Sequence, residues 1–332
     1  MTAPAATNGR RPEDLRAWIL SDGKIGMENQ CIGIAEALGV HAEIKRIAVA
    51  RPWRWLPPLL IPTPLATLSA RGDRLAPPWP DLLIATGRKS VAAALAIRKA
   101  SRGATFCVQI QNPGVDPARF DLVIAPAHDR LAGDNVLALL GSPHGVTAAK
   151  LAVARQEFAA LLESLPRPRI AVLLGGNNAV YRMTDAVAER LATDLAAVAR
   201  STGGGLAVTA SRRTPASAMA RIRSALSGEP VLFYDGDGAN PYLGYLAWAD
   251  AVIVTADSVN MVTEATATGG PVYVVDLEGG SAKFTRFHSA MREARYTKPF
   301  AGKLEDWRYP PPDETPRAAA EIARRMNLAR DA

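Results

Sequence analysis

Cysteine is nearly absent from this chain. The 332 residues hold two, Cys31 in a helical pattern and Cys107 in an apolar strand, which excludes a disulfide framework and any zinc-type spacing and marks both as reduced core residues. Also missing is any apolar run near the roughly 20 residues that span a bilayer. The N-terminal MTAPAATNGRRPED is a polar tail without the apolar centre of a secretory signal. The expectation is a cytoplasmic protein, with the inner face of the membrane as its other station. The GxxxxGK[ST] spacing of a Walker loop is absent too, which argues against kinase and ATPase chemistry. Disorder is excluded by a hydrophobic content of 48%. The net charge of +7 is split among short clusters such as Lys45-Arg46, Arg98-Lys99, Arg212-Arg213 and Arg324-Arg325. Such scatter fits anionic substrates or a membrane surface better than a nucleic-acid stripe, so no nucleic-acid partner is expected.

What is present is a regular alternation of short apolar runs and helical patterns, and it occurs twice. The first series has strands at 17–20, 42–47, 82–85, 105–110, 122–125 and 136–139, with helical patterns at 27–38 and 90–99. The second has strands at 170–174, 206–209, 231–234, 251–255 and 272–275, separated by helical patterns at 186–200, 215–226 and 258–268. Each series predicts an α/β domain whose parallel sheet carries helices on both faces. The boundary is expected at Pro166-Arg167-Pro168, after the amphipathic run 151–165. The predicted layout is therefore a Rossmann-like domain over 12–165, a second over 166–312, and a closing helix within 313–332 that packs back on the first. Two such domains facing each other leave a cleft, and ligands of such sheets bind beyond the C-terminal strand ends.

The loops after the second series carry the most information. Residues 251–275 read as strand, turn, helix, turn, strand. Asp257 and Ser258 are good N-cap residues, so the helix start attracts phosphate. Within that helix Asn260 and Glu264 share a face, with Met261 beside them, and the Glu264 carboxylate suits the two hydroxyls of a ribose. Gly175-Gly176-Asn177 follows another strand. Ser211-Arg212-Arg213-Thr214-Pro215 follows the next, where Pro215 suits position N1, Thr214 the N-cap, and both arginines a phosphate. A solvated helix entry is the ordinary alternative for the arginines.

In the first series, Asp22-Gly23-Lys24-Ile25-Gly26 and Gln30 follow the first strand, and Gly87-Arg88 follows another; the glycines permit close backbone approach. His128-Asp129 and His144 also follow strands, with a structural loop role as the alternative to catalysis. Asp235-Gly236-Asp237 matches the Asp-x-Asp of metal-dependent glycosyltransferases, but its flanking glycines favour a turn, and no metal is expected. Arg51-Pro52-Trp53-Arg54-Trp55-Leu56-Pro57-Pro58-Leu59-Leu60-Ile61 is too broken by proline for a helix. Its mix of Trp, Arg and aliphatic residues suits either a peripheral contact with an anionic bilayer or a loop packed on its own domain.

Several of these segments together resemble one family. They are GKIGMENQ at 23–30, Ala85-Thr86-Gly87-Arg88, Phe120-Asp121 with Ala127-His128-Asp129, Gly175-Gly176-Asn177, 211–215, Asn240-Pro241-Tyr242 and 255–264. In order along the chain they resemble the plant mitochondrial fission factor "elongated mitochondria" and its bacterial homologues, a family similar in turn to GT-B glycosyltransferases. The resemblance implies a nucleotide-sugar donor on the second domain, with Glu264 on the ribose and Ser211, Arg212 and the Asp257-Ser258 helix start on the pyrophosphate. It implies an envelope lipid or saccharide acceptor on the first domain and no separate cofactor. A transferase needs a group to deprotonate the acceptor; Asp22 is the first candidate and His128 or Asp129 the second. The plant member is described as an adaptor for a dynamin-related protein, so the resemblance also implies a non-catalytic alternative. A nucleotide-sugar epimerase is a third reading that can share the architecture.

Overall fold

A computed structural model describes residues 10–61 and 64–329, without the side chain of Arg54. The polar tail read at 1–9 and Arg330, the last residue of the closing helical pattern, lie outside the described residues. The chain divides into two compact units, one running to Gly145 and resuming at Asp313, the other spanning Val146–Pro312.

The first unit contains β1 (Ala17–Ser21), α1 (Ile25–Leu38), β2 (Ala42–Arg46), β3 (Leu82–Thr86), α2 (Val91–Ala100), β4 (Phe106–Ile110), β5 (Leu122–Pro126) and β6 (Val136–Leu139). Its sheet is parallel throughout, in the order β2-β1-β3-β4-β5-β6. Strand alternation assigns the two faces. Ala17 and Ile19 join α1 residues such as Cys31 and Ile34 in one core, while Trp18 and Leu20 join Val91, Ala94 and Ile97 of α2 in another. Because both faces are covered, β1 and β3 are buried along their whole length and read as unbroken apolar runs rather than alternating ones. Between β2 and β3 the chain makes short 3-10 turns at Trp53–Trp55 and Pro58–Leu60, where the prolines rule out a longer helix.

The second unit opens with α3 (Ala148–Glu157) and α4 (Ala159–Leu162). It continues through β7 (Arg169–Leu174), β8 (Tyr181–Arg182), α5 (Asp185–Thr202), β9 (Gly205–Ala210), α6 (Ala216–Ala225), β10 (Val231–Tyr234) and α7 (Tyr242–Trp248). It ends with β11 (Ala251–Thr255), α8 (Val259–Thr266), β12 (Val272–Val275), β13 (Glu278–Gly279), α9 (Ala282–Glu293) and β14 (Thr297–Pro299). Six strands form a parallel sheet in the order β10-β9-β7-β11-β12-β14, and β8 pairs with β13 in a separate antiparallel ribbon. Ile170, Val172 and Leu174 pack with Leu191 and Leu195 of α5 and Ile222 of α6. The division between units falls at Gly145–Val146, ahead of Pro166, because the run read as closing the first domain forms α3 and α4 and packs on α7: Arg155 donates to Ala247 O and lies over the Trp248 ring.

The last helix, α10 (Glu314–Met326), belongs to the first unit, where Ala318, Ala319 and Ile322 pack in the α1 core. Glu314 accepts from Leu140 N–H at 2.7 Å, and the Thr315 hydroxyl accepts from His144 N–H and donates to His144 O. Several elements of the second unit escape the sequence pattern. β14 is three residues long, α7 is seven, β8 and β13 are two-residue bridges, and α9 begins in the polar run Ala282-Lys283.

Candidate functional site

In a doubly wound sheet loops at the C-terminal edge commonly lead into helices, so backbone N–H groups gather there. In the second unit four such loops carry the residues singled out by the sequence. Gly175-Gly176-Asn177 leaves β7, 211–215 leaves β9, 235–237 leaves β10 and 256–258 leaves β11.

Asp257 is the knot that ties them. Its carboxylate is fully shielded from solvent and accepts from the Gly176 N–H at 3.0 Å, the Thr255 hydroxyl at 2.7 Å and the Arg213 guanidinium at 2.6 Å. A buried carboxylate is costly unless paired and hydrogen-bonded, and here three donors meet it. The two glycines are required by the same knot. A Cβ on Gly175 would lie 2.0 Å from Asp257 Oδ1, and one on Gly176 would lie 2.1 Å from the Arg213 carbonyl oxygen.

Other candidates are also engaged between loops. Asn177 donates its N–H to Arg213 O and accepts from Met183 N–H with its side chain. The Ser211 hydroxyl accepts from Arg213 N–H. Thr214 does not cap α6: its hydroxyl bonds to Leu174 O and Gly175 O, and Pro215 occupies the cap position. Ser258 is the cap of α8, accepting from Met261 N–H. Gly175, Gly176, Asn177, Ser211, Arg213 and Asp257 therefore build a stitched floor. Arg212 differs: it is exposed, and among the described residues nothing pairs with its guanidinium.

Glu264 lies on α8 with Asn260 one turn earlier. Tyr242, at the start of α7, donates its hydroxyl to Glu264 Oε2 at 2.5 Å. Burial pushes the Glu264 carboxyl up to about 7 against the opposing pull of that hydrogen bond, and burial together with the Glu264 charge drives the Tyr242 phenol well above its ordinary value. On α9, buried His288 sets its Nε2 2.9 Å from Ala256 O, and burial lowers its pKa, so it is a neutral donor holding the β11–α8 turn. Neither Tyr242 as the partner of Glu264 nor His288 has a local signature in the sequence; each reaches across more than 20 residues. The Asp235 loop is a turn with Gly236 and Gly238 at positive φ, in which Asp235 takes the Arg223 guanidinium.

In the first unit the corresponding edge is arranged differently. Glu28 on α1 is buried, accepts from the Ser21 hydroxyl at 2.6 Å, and receives Arg46 Nε and Nη2 at 2.9 and 3.0 Å. That guanidinium, as a hydrogen-bond donor, holds the Glu28 carboxyl below its usual range. Ser21 in turn accepts from Gly23 N–H, which fixes the turn carrying Asp22. Asp22 Oδ2 lies 3.3 Å from Lys24 Nζ and 3.4 Å from Lys89 Nζ, while its Oδ1 is buried with no hydrogen-bond partner among the described residues. Gly87 turns at φ +80° after β3, leaving the Arg88 side chain exposed and without a partner among the described residues. Gly26 opens α1 in its first turn, and Gln30 is buried on the same helix, accepting from Gln111. His128 and Asp129 form a buried pair, 3.9 Å apart, after β5. β3 and β4 separate β1 from β5, so three strand spacings, about 14 Å, stand between that pair and Asp22. The structure thus brings Asp22 together with Lys24, Arg88 and Lys89, and does not bring it together with His128.

The comparisons with known proteins follow this layout. The sequence pattern of the mitochondrial fission ELM1 family matches residues 25–326. The chain is 29% identical over 389 aligned residues to mitochondrial fission protein ELM1 of Arabidopsis thaliana, an alignment covering 94% of this chain and 91% of that protein. In fold it is similar to the UDP-GlcNAc 2-epimerase of Methanocaldococcus jannaschii, with a TM-score of 0.53, 13% identity and 95% and 93% of the two chains covered. It is also similar to the glycotransferase of kitacinnamycin, with a TM-score of 0.50, 12% identity and 94% and 93% coverage. Both likenesses concern fold: paired Rossmann-like parallel sheets of GT-B type. A family pattern that runs from the first turn of α1 to the end of α10 settles membership, and this chain belongs to the mitochondrial fission ELM1 family.

Proposed function

We propose that this protein is a metal-independent glycosyltransferase that moves a sugar from a nucleoside-diphosphate sugar to a cell-envelope acceptor. The observation that carries the reading is the edge of the second sheet. A stitched floor places Arg212, unpaired among the described residues, beside the α6 start after β9, while β11, which lies beyond β7 in the same sheet, leads to the capped start of α8 with Glu264 two turns in. On this reading the helix starts and Arg212 take the diphosphate and Glu264 the ribose, its Oε2 already oriented by Tyr242. Ser258, Asn260 and Met261 line the same helix start, and the floor of Gly175, Gly176, Asn177, Ser211, Arg213 and Asp257 holds the loops at fixed spacing.

The chemical step is a displacement at the sugar's anomeric carbon. Asp22 takes the proton of the acceptor hydroxyl, the acceptor oxygen bonds to that carbon, and the bond to the diphosphate oxygen breaks with its electron pair leaving on the nucleotide. Lys24, Arg88 and the glycines at 23, 26 and 87 hold the acceptor, with Gln30 behind them; His128 and Asp129 are the second choice of base. Membership of the fission family favours one other reading, a non-catalytic adaptor that retains the nucleotide loops. The epimerase reading rests on fold likeness alone, which transferases share.

The test is calorimetric titration of the full chain with UDP and other nucleoside diphosphates. One of them should bind, and Arg212→Ala should weaken it at least 10-fold, the worth of one or two charge-assisted hydrogen bonds. Absence of binding by every nucleoside diphosphate overturns the transferase reading. Binding with full cellular complementation by Asp22→Asn favours the adaptor.

A further inference from the structure

A cavity of about 340 Å³ in the first unit combines two kinds of wall. At one end stand Lys24, Arg88 and Lys89 around Asp22; the rest is apolar, formed by Trp53, Trp55, Leu56 and Ile61. Its volume lies within the roughly 300–1,000 Å³ of small-molecule sites. Two groups in it are unsatisfied. The Asp22 side chain is only 7% exposed, yet among the described residues neither its Oδ1 nor the Arg88 guanidinium has a hydrogen-bond partner. The cavity shares Pro58, Ile61 and Ala92 with a second groove of about 640 Å³, which extends the apolar wall to Leu95 and is flanked by Lys99 and Arg102. Nearby Trp55 and Leu60 are 64% and 63% exposed.

We propose that this cavity binds an amphiphile bearing a phosphate and a hydroxyl on an aliphatic tail, and that this lipid phosphate is the acceptor; the second clause rests on the transferase reading given above. The juxtaposition excludes simpler ligands. Three cations around one carboxylate leave an excess of positive charge that suits a phosphate monoester, which carries about −1.5 to −2 at neutral pH. A free anion would leave the tryptophan and leucine wall wet, and a neutral lipid would leave Arg88 unmatched and the two ammonium groups sharing a single carboxylate. The orphan Oδ1 of Asp22 supplies the acceptor for a hydroxyl proton.

The experiment titrates the full chain with dodecyl phosphate below its micelle concentration, read by tryptophan fluorescence. Dodecyl maltoside, with the same tail and no charge, and inorganic phosphate, with the head and no tail, run beside it. Dodecyl phosphate should saturate at least 10-fold more tightly than either control. Arg88→Gln with Lys89→Gln, and separately Trp55→Ser, should each weaken it at least 10-fold without lowering the thermal midpoint. Equal affinity for the maltoside or for inorganic phosphate overturns the proposal, as does an unchanged affinity in the charge variant. Co-sedimentation with phosphatidic acid vesicles identifies a membrane-borne lipid as the source; binding of soluble dodecyl phosphate without vesicle binding identifies a free amphiphile. Failure of both overturns the site. UDP binding by the same unmodified protein separates the two claims. UDP without dodecyl phosphate sinks this inference alone, and dodecyl phosphate without any nucleotide sinks the transferase reading and leaves the amphiphile site standing.

Discussion

Asp257 and Asp22 occupy equivalent places, each in the turn that leaves a buried parallel strand, and each side chain is almost wholly shielded from water. Asp257 meets three hydrogen-bond donors, whereas Asp22 has two ammonium groups at the edge of one oxygen and, among the described residues, no hydrogen-bond partner on the other. Removing a carboxylate from water without full replacement of its hydrogen bonds is unfavourable, so the two aspartates sit on opposite sides of the same balance. At Asp257 the balance closes inside the protein, and the product is a rigid floor. At Asp22 it stays open, and a ligand hydroxyl would close it. Charge at Asp257 holds loops together; charge at Asp22 is held in reserve.

The contrast breaks most visibly through truncation. Asp257→Ala strands the Arg213 guanidinium, the Gly176 N–H and the Thr255 hydroxyl, a loss of about 3–5 kcal/mol for a buried charged network deprived of one partner. Asp22→Ala should cost under about 1 kcal/mol, because its partners Lys24 and Lys89 are largely exposed and rehydrate. Urea unfolding of the two variants checks the difference. Similar losses would mean that Asp22 is a structural residue too and that its turn is held as firmly as the other.

The same contrast explains what the sequence made legible. Strand and helix positions were readable because both sheets are covered on two faces, so Ala17-Trp18-Ile19-Leu20 and Ala251-Val252-Ile253-Val254 are continuous apolar runs whose pattern survives any tertiary detail. Short or polar elements were not. β14 has three residues, and the buried face of α9 is carried by Phe287, His288 and Met291 amid charged neighbours. The candidate residues of the second unit were visible as residue types after strands, but their division of labour was not. Arg212 and Arg213 are adjacent and chemically identical, and only the position of Asp257, 44 residues beyond Arg213, assigns one to the floor and leaves the other unpaired. The boundary between units was displaced for a related reason. Helices α3 and α4 carry only a weak apolar stripe, with Ala154 and Leu162 buried, and nothing local to them names α7 as the surface that α3 covers.

A second way to sharpen the comparison uses pH. The Glu264 carboxyl, with a folded-state pKa raised to about 7 by burial, is protonated in the folded chain where the unfolded chain has already ionised, near 4.5. Between those values the folded state holds the extra proton. Glu264 therefore favours folding most below about pH 4.5, and that contribution is lost as pH rises through 7, a change of about 3 kcal/mol. Glu264→Gln should remove this slope from the urea midpoint, and Tyr242→Phe, which deletes the bond favouring the carboxylate, should steepen it. Glu28, held low by Arg46, moves the opposite way: its contribution is present above the ordinary carboxylate value and fades as pH falls toward and below it. Parallel slopes in wild type and Glu264→Gln would show that Glu264 is solvated and ionised throughout.

The smallest expected effect concerns Asp235. Its pairing with Arg223 is a surface contact, both side chains being more than a third exposed, and such pairs contribute under about 1 kcal/mol. Asp235→Asn should leave the unfolding midpoint within about 0.5 kcal/mol of wild type, in line with other surface substitutions. It should leave nucleoside diphosphate affinity unchanged if, as proposed, the diphosphate charge is met by Arg212 and two helix starts rather than by a cation held on carboxylates. Titration with UDP in excess EDTA, then in excess magnesium or manganese, reads the same question without a mutation. Affinity that collapses in EDTA, returns with either metal and is lost in Asp235→Asn would move the diphosphate site from the β9 loop to the β10 loop. It would also make Asp235 and Asp237 the metal-holding pair, and leave Arg212 as the solvated helix entry that its exposure equally allows.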